Sequence, residues 1–369
     1  MAPDDPVHDP RPGSGAVGFR PFRSRRADRR VRAGLVALAA LGVSLVGVPA
    51  AAATPAAPED LCTVTDSRLT ELSGLAVHDG EIWAMADGGR RVAVYRLDPA
   101  DCAVVDTRTA DLDPFDAEDL AVAPDGTFWV ADTGDNNRAR ETVALLVVPP
   151  RDPPRLHRLV YPDGAHDAEA VLLGADGVPV VVTKEVTGVA GVYRPDGPLA
   201  EPGPTPLRRV GSVGFARSET RGGPIGALGA FTVTGGAVSP DGRVVAVRTY
   251  TDAWLYRVPP SGDLVAALQT TPLQVPLPDE PQGEAIAFLP DGTLLSGSEA
   301  RGRDGRLRAV PGAVDAALAA APPLPTPPPP AAAPPEPVPE WRPAVIGGGV
   351  AVVVLGLAAG ALALHTRRR

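Results

Sequence analysis

The sequence predicts an all-β fold built from repeated hairpins, and three observations carry this prediction. A short apolar strand, an Asp-Gly turn and a second apolar strand recur along the middle of the chain, with turn glycines at 80, 126, 177, 242 and 292. The units follow one another about every 50 residues, which is the length of a four-stranded propeller blade. No segment between 60 and 312 has the pattern of a long amphipathic helix. The 369-residue chain is therefore predicted to contain one β-propeller.

The repeated unit is clearest around the second turn, where residues 120–131 read LAVAPDGTFWVA. Asp-Gly between two apolar runs is a strong hairpin signal because both turn positions tolerate a positive φ. Further apolar runs predict additional strands in most of the units. The third strands are predicted at 92–97, 142–148, 191–194 and 253–257, and fourth strands at 155–160 and 207–213.

Five repeats are visible between 70 and 312, and the long interval from Gly177 to Gly242 leaves room for a sixth, degenerate blade. Residues 54–69 are predicted to lead into the propeller and to supply, near Cys62, the outer strand that closes the ring. Cys62 and Cys102 are the only cysteines of the chain. They are expected to form a disulfide in an oxidising compartment, because no histidine stands at a spacing that would complete a metal site.

The first 53 residues are predicted to form a secretory signal segment. A stretch rich in proline, glycine and arginine precedes an apolar run at 33–48, and small residues follow at 50–53. A basic flank, a short apolar core and a small-residue exit are the three parts of such a signal. Cleavage after Ala51 or Ala53 fits the pattern, and an uncleaved anchor is the alternative. Both alternatives leave the propeller outside the cytoplasm.

The C-terminal end is predicted to anchor the chain in a membrane. Residues 344–364 carry no charge, and as a helix they would span about 30 Å, the thickness of a bilayer core. The basic tail 365–369 would stay in the cytoplasm. Residues 313–343 are rich in proline and alanine and predict an extended linker. The sequence thus predicts a single-pass cell-membrane protein whose propeller lies on the extracytoplasmic side.

The charge of the chain excludes one class of partner. The formal net charge is −9 at pH 7, and arginine is concentrated at the two ends, so the middle of the chain is more acidic still. Such a surface repels nucleic acid. A small ligand or a protein at the channel mouth is the expected partner instead.

Several short motifs resemble those of secreted bacterial propellers of the TolB-like, six-bladed kind, which are grouped with phytase-like and esterase-like propellers. The motifs are SGLA at 73–76, EDLA at 118–121, GDNNR at 134–138, HDAEA at 166–170 and TGGAVSPDG at 234–242. The resemblance covers residues 70–300 and implies the fold. It transfers no catalytic residue, since no motif for a catalytic group or for a basic phosphate-binding cluster is matched.

The predicted channel mouth gathers acidic residues. In a propeller the first strand of each blade lines the central channel, and the equivalent position of the five repeats holds Ser73, Glu118, Glu169, Thr234 and Glu284. Converging carboxylate oxygens suit Ca²⁺. Glu118, Glu169 and Glu284 are therefore the predicted metal ligands, with Ca²⁺ as the candidate cofactor. A polar channel rim with water-bridged acids is the alternative.

Neighbouring polar residues are predicted to contact a ligand at the same mouth. The loop 132–138 has the Asp, Asn and Gly content both of Ca²⁺ loops and of ordinary turns. Lys184, the only lysine of the chain, either binds an anionic ligand or forms a salt bridge. The predicted ligand-binding residues are Glu118, Asp119, Asp135, Asn136, Arg138, His166, Asp167, Glu169, Lys184, Arg248 and Glu284.

Two functional interpretations follow. The first is a membrane-tethered binding module that captures a ligand or a protein at the cell surface. The second is a Ca²⁺-dependent hydrolase of a phosphoester, ester or lactone, in which Asp119 or Asp167 activates water. A serine hydrolase is not indicated, because the chain contains no G-x-S-x-G nucleophile motif. The first interpretation requires less of the residues and is the one that the sequence favours.

Overall fold

The structure is a computed structural model that describes residues 55–300 and 305–320, together with residue 357. These residues form an all-β, propeller-like ring with two short 3-10 helices (Ser67–Leu69 and Gly226–Ala230) and two short α-helices, α1 (Leu264–Ala267) and α2 (Ala313–Ala320). In chain order the strands are β1 (Glu59–Val64), β2 (Leu72–His78), β3 (Glu81–Ala86), β4 (Val92–Leu97), β5 (Val104–Ala110), β6 (Asp119–Val122), β7 (Phe128–Asp132), β8 (Val143–Val148), β9 (Arg155–Val160), β10 (Ala168–Leu173), β11 (Pro179–Thr183), β12 (Val189–Pro195), β13 (Thr205–Gly214), β14 (Val233–Val238), β15 (Val244–Thr249), β16 (Asp252–Arg257), β17 (Leu273–Pro276), β18 (Gly283–Phe288), β19 (Leu294–Ser298) and β20 (Gly305–Val310).

The strands are arranged as five four-stranded blades. The first four blades are β2–β5, β6–β9, β10–β13 and β14–β17, and the fifth combines β18–β20 with β1. The innermost strands β2, β6, β10, β14 and β18 lie side by side in that order, and β18 returns to contact β2. The second and third blades are also joined at their outer edges, where β13 pairs in parallel with β9 over two residues. The inner strands therefore surround a central axis.

Strand β1 closes the ring by pairing antiparallel with β20 at the outer edge of the fifth blade. This is the role expected for the residues around Cys62. The predicted disulfide is confirmed: Cys62 on β1 is bonded to Cys102, which precedes β5 of the first blade, across a sequence separation of 40 residues. The covalent link therefore ties the closing strand to the neighbouring blade.

Five apolar clusters fill the interfaces between neighbouring blades. For example, Trp83 and Val94 of the first blade pack against Phe128 and Leu146 of the second. The other four clusters lie between blades two and three, three and four, four and five, and five and one. Each blade thus buries both of its faces, as packed sheets must. This is why the strands are apolar almost throughout.

The Asp-Gly pairs form the turns between the first two strands of each blade, as predicted. All five turn glycines have positive φ, between 67° and 84°. Among the five turn aspartates, only Asp79 also has a positive φ, of 51°. In the other four turns the aspartate instead accepts a hydrogen bond from the backbone N–H two residues later, as Asp125 does from Thr127 at 2.9 Å. The side chain thus stabilises a turn that leaves only glycine in the left-handed region.

The described residues contain no sixth four-stranded unit. The interval between Gly177 and Gly242, which left room for one, is occupied by β11, β12 and the ten-residue strand β13, followed by a loop with a 3-10 helix at Gly226–Ala230. The extra length therefore extends one strand and one loop, and the ring closes with five blades.

The predictions for the two ends have different outcomes. Residues 1–53, the predicted signal segment, lie outside the described residues. Among the residues that the structure describes, no helix is long and apolar enough to cross a membrane. The predicted C-terminal membrane anchor is therefore not supported, and neither is the single-pass cell-membrane location. Of residues 344–364, the structure describes only residue 357. The start of the expected linker forms helix α2 (Ala313–Ala320), which packs against the fourth and fifth blades.

Candidate functional site

The same backbone irregularity occurs at the equivalent position of four inner strands. The pairing of β2, β10, β14 and β18 with their second strands is interrupted by a β-bulge at the residue that the repeats align. The bulged residues are Ser73, Glu169, Thr234 and Glu284. A bulge rotates a side chain out of the normal alternation of a strand. The fifth aligned residue, Glu118, directly precedes β6 and donates its N–H to the carbonyl of Ala131.

The aligned glutamates line one cavity of about 730 Å³ at the mouth of the channel. Glu118, Glu169 and Glu284 come from the second, third and fifth blades. Ser73 and Thr234, in contrast, donate their hydroxyls to the carbonyls of Glu118 and Gly283, and so join neighbouring blades. The cavity is lined by Thr70, Glu71, Asp87, Asp116, Glu118, Asn136, Glu169, Lys184, Tyr250, Gln282, Glu284 and Glu299.

Three buried carboxylates form a compact cluster on one side of this cavity. One carboxylate oxygen each from Glu118, Asp167 and Glu169 lies within 4.8 Å of the other two. Oxygens on opposite sides of a Ca²⁺ ion are about 4.8 Å apart, because each Ca–O distance is about 2.4 Å. Oε2 of Glu169 is buried and has no hydrogen-bond partner in the described part of the chain. The donor set, its spacing and this unpartnered oxygen therefore fit a hard divalent cation.

Gly134 lets the backbone pass directly behind this cluster. A Cβ on residue 134 would overlap the carboxylates of Glu118 and Asp116. These two side chains therefore lie side by side against the same stretch of backbone. The glycine of the motif Gly134-Asp135-Asn136 is needed for space at the site.

Lys184 stands at the edge of the cluster, where its ammonium donates to Oε1 of Glu169. Its Nζ also lies 5.7 Å from the centre of the Tyr250 ring. Although burial lowers the pKa of Lys184, the Glu169 carboxylate opposes this effect, and the net result is a raised pKa. Lys184 therefore forms the salt bridge that the sequence offered as one of two alternatives.

Burial and mutual repulsion disfavour charge on the acids of the cavity. Burial raises the pKa of Glu118 well above its usual range, and the carboxylate of Glu169 adds to the shift. Glu284 is affected in the same way by burial and by Glu169. Burial also raises the pKa of both Asp116 and Asp167. Such crowding is relieved either by protons or by a bound cation.

Glu284 lies in the cavity but outside the three-carboxylate cluster. Its Oε1 accepts a 2.7 Å hydrogen bond from Nε2 of Gln282 on the opposite wall. The metal set predicted from the repeats, Glu118, Glu169 and Glu284, therefore differs from the set that converges, in which Asp167 takes the third place. Asp167 is held there by a hydrogen bond from the N–H of Asp135, at 2.8 Å.

Two of the predicted ligand-binding residues are buried away from the cavity. Asp119 is fully buried at the ring axis, where it accepts hydrogen bonds from the N–H groups of Leu120, Val171 and Gly236. It is thus not placed to activate water at the mouth. Arg248 is also fully buried and bonds to Glu280 between the fourth and fifth blades, at 2.8 Å. Both residues hold blades together.

Other predicted residues stabilise the loops beside the cavity. Asp135 accepts hydrogen bonds from the N–H groups of residues 139 and 140, which makes its loop an ordered turn. Arg138 forms a 2.6 Å salt bridge with Glu185. His166 contacts Asp163, with 3.1 Å between Nε2 and the carboxylate. Asn136 is the member of this loop that lines the cavity.

Sequence reasoning missed four residues that line the cavity, namely Glu71, Asp87, Tyr250 and Gln282. Asp87 and Tyr250 follow second strands, the position at which Lys184 drew attention in the third repeat. Glu71 and Gln282 precede inner strands by the same short distance. Comparing the residue after the second strand and the residue before the inner strand across all repeats would have identified these four residues.

The ionisation of Asp87, which lines the cavity, affects the stability of the fold. Burial raises the pKa of Asp87 to about 6, and repulsion from Asp116, Glu71 and Glu299 adds to the shift. The carboxyl is therefore protonated in the folded protein at a pH where it is already ionised in the unfolded chain. Folding stability should then fall as the pH rises from about 4 to about 6.

We expect Asp87→Asn to stabilise the protein at neutral pH, because the amide carries no charge to desolvate. The gain in unfolding free energy should be near zero at pH 4 and reach about 1–2 kcal/mol at pH 7. Urea denaturation in a chelating buffer across this pH range measures it. Asp152→Asn, at an exposed loop position, is the control and should show no such trend; equal gains at pH 4 and pH 7 would contradict the prediction.

No family model matches the chain. No curated protein matches it either. Solved structures with a similar architecture include a luciferin-regenerating enzyme at 15% identity and a TM-score of 0.40, covering 65% of this chain and 78% of that chain. A gluconolactonase from Xanthomonas campestris is 15% identical with a TM-score of 0.37, covering 65% and 72%. The PQQ-bound aldose sugar dehydrogenase from Streptomyces coelicolor is 9% identical with a TM-score of 0.39, covering 70% and 99%. These proteins are propeller-type enzymes, and likeness at this level carries no argument about the reaction of this chain.

Proposed function

We propose that the chain is a Ca²⁺-dependent hydrolase that acts on an ester or lactone without negative charge at the channel mouth. The observation that carries the proposal is the convergence of Glu118, Asp167 and Glu169, buried and with oxygens mutually within 4.8 Å. A binding module does not require buried carboxylates to be forced together, whereas a metal-dependent hydrolase does.

The charge of the cavity selects among the substrate classes considered from the sequence. Seven of the lining residues carry carboxyl groups, and Lys184 is the one basic residue among those described there. Lys184 is already paired with Glu169. A phosphoester anion would be repelled by such a wall, whereas the carbonyl group of a neutral ester or lactone would not.

The residues around the cluster have separable roles in this proposal. Glu118, Asp167 and Glu169 hold the cation, which polarises the substrate carbonyl when bound. Asp116 lies beside Glu118 and faces the same cavity, so it is placed to accept a proton from an attacking water molecule. As the oxygen of that water bonds to the carbonyl carbon, the bond to the leaving oxygen breaks and the proton passes to the leaving alkoxide.

The test is a Ca²⁺ titration of the purified protein, followed by thermal melting and by hydrolysis of a panel of neutral aryl esters and lactones. We expect millimolar Ca²⁺ to raise the melting temperature by several degrees and to increase hydrolysis at least about tenfold over a chelating buffer. Glu118→Gln should abolish both effects. It is preferable to Glu169→Gln, which would also remove the partner of Lys184.

Two further variants make the test specific to the geometry. Gly134→Ala adds a methyl group that displaces Glu118 and Asp116 without changing any charge, and it should weaken Ca²⁺ binding at least tenfold. Gly214→Ala, whose added Cβ would meet only an ordinary 3.6 Å contact, and Glu141→Gln at an exposed loop position are the controls. The proposal would be refuted if neither the melting temperature nor the rate of hydrolysis changed with Ca²⁺ or with other divalent cations.

A further inference from the structure

The wall opposite the three-carboxylate cluster contains an unsatisfied acceptor. Gln282 is only 6% exposed and lines the cavity. Its Nε2 donates to Glu284, and its Oε1 is buried without a hydrogen-bond partner in the described part of the chain. The amide orientation follows from the chemistry, because a carboxylate oxygen accepts hydrogen bonds and requires the NH₂ group to face it. A buried acceptor left unpaired costs about 1–3 kcal/mol.

The backbone of Gln282 is held by two hydrogen bonds. The N–H of Gln282 donates to Oγ of Ser298 at 3.0 Å, and its carbonyl accepts from the N–H of Glu299 at 2.9 Å. Gln282 is therefore held between the start of β18 and the end of β19, and it lines the cavity. The hydrogen bond from its Nε2 to Glu284 restrains the side chain and, with it, the unpartnered oxygen.

The surroundings of Gln282 favour a donor that carries positive charge. Glu71, Asp87 and Glu284 line the same cavity as Gln282, and Lys184 is already paired with Glu169. The ring of Tyr250, which is 5% exposed, also borders the cavity. Carboxylates, an amide oxygen and an aromatic ring are the groups that bind an ammonium ion, by hydrogen bonds and by cation–π attraction.

A second metal ion fits this wall less well. Within the described ranges, the one group of three acidic or histidine side chains with ligand atoms mutually within 4.8 Å is the Glu118, Asp167 and Glu169 cluster. Glu284 is hydrogen-bonded to Glu299, but no third acid joins them at this spacing among the described residues. A primary ammonium group, with three N–H donors pointing in different directions, needs no such cluster.

We infer that the wall of Gln282 and Glu284 binds the ammonium group of the substrate, so that the substrate is an ester or lactone bearing a primary amine. The inference rests on the proposed function for the identity of the reacting group. The amine-binding wall itself does not depend on hydrolysis. The carbonyl would face Glu118, Asp167 and Glu169, and the amine would lie across the cavity.

Binding is tested by calorimetry on the Ca²⁺-loaded protein with 6-aminohexan-1-ol and with hexane-1,6-diol, which differ only in the amine. We expect at least about tenfold tighter binding of the amine. Gln282→Met, which keeps length and removes the oxygen, and Glu284→Gln should each remove most of this preference. Glu141→Gln is the control and should retain it. Equal affinity for the two compounds, or uptake of a second Ca²⁺ that Gln282→Met abolishes, would overturn the inference.

Activity is tested separately with 4-nitrophenyl 6-aminohexanoate and 4-nitrophenyl heptanoate. The aminated ester should have at least about tenfold higher kcat/KM, and Gln282→Met should raise KM for that ester alone. Ca²⁺-dependent hydrolysis of both esters at equal rates would refute the amine specificity and leave the proposed function standing. Preferential binding of the amino alcohol without any hydrolysis would refute the proposed function and support the amine-binding wall.

Discussion

Replacing Arg248 by methionine is expected to destabilise the protein by about 3 kcal/mol, because the change breaks a buried ion pair and leaves the Glu280 carboxylate with the more distant Arg308, at 3.6 Å. Arg248 is fully buried and donates to Glu280 at 2.8 Å, to Oγ of Ser296 at 2.9 Å and to the carbonyl of Ala285 at 3.0 Å. Glu280 is itself only 3% exposed. The guanidinium therefore connects the fourth blade with the fifth.

Urea denaturation at pH 7 measures the loss. Adding Glu280→Gln to Arg248→Met should restore part of the lost stability, since the stranded charge is then removed as well. Arg243→Met is the matched control because Arg243 forms an exposed salt bridge with Asp241, and such a pair is worth less than about 1 kcal/mol. A cost of Arg248→Met no larger than that of the control would contradict the prediction.

Replacing Asp119 by alanine is expected to cost about 3 kcal/mol or more, because three backbone N–H groups at the ring axis lose their acceptor. Oδ1 accepts from Leu120 at 2.9 Å, and Oδ2 accepts from Val171 at 2.8 Å and from Gly236 at 3.1 Å. These donors belong to the second, third and fourth blades. Burial raises the pKa of this carboxyl to about 8, against the opposing effect of the three N–H donors.

Asp119→Asn is the informative companion variant. Its amide oxygen can replace Oδ2 and keep the bonds from Val171 and Gly236, whereas its NH₂ group faces the N–H of Leu120. We therefore expect a loss about half that of Asp119→Ala. Asp291→Ala, which removes a single acceptor at a surface turn, should cost at most about 1 kcal/mol. Equal stability of Asp119→Ala and the native protein would show that the axis does not depend on this carboxylate.

Local sequence patterns were enough to predict the repeating unit of the ring. An apolar run on each side of an Asp-Gly pair predicts a hairpin, because backbone φ and turn chemistry depend on the local sequence. The recurrence of these hairpins predicted an all-β, propeller-like ring, and the position of Cys62 and Cys102 predicted their disulfide. Glu118, Glu169 and Glu284 were found in the same way, since equivalent positions of a cyclic repeat must face the same axis.

Which polar residues lie close enough to act together depends on how the blades pack in the closed ring. Asp167 rather than Glu284 completes the three-carboxylate cluster. The bulges and the Gly134 loop determine where each carboxylate lies, and differences of a few ångströms decide which of them meet. Asp119 and Arg248 resemble site residues in the sequence, yet they are buried between blades. Their roles depend on donors and acceptors that belong to other blades, and these pairings exist only once the ring has closed.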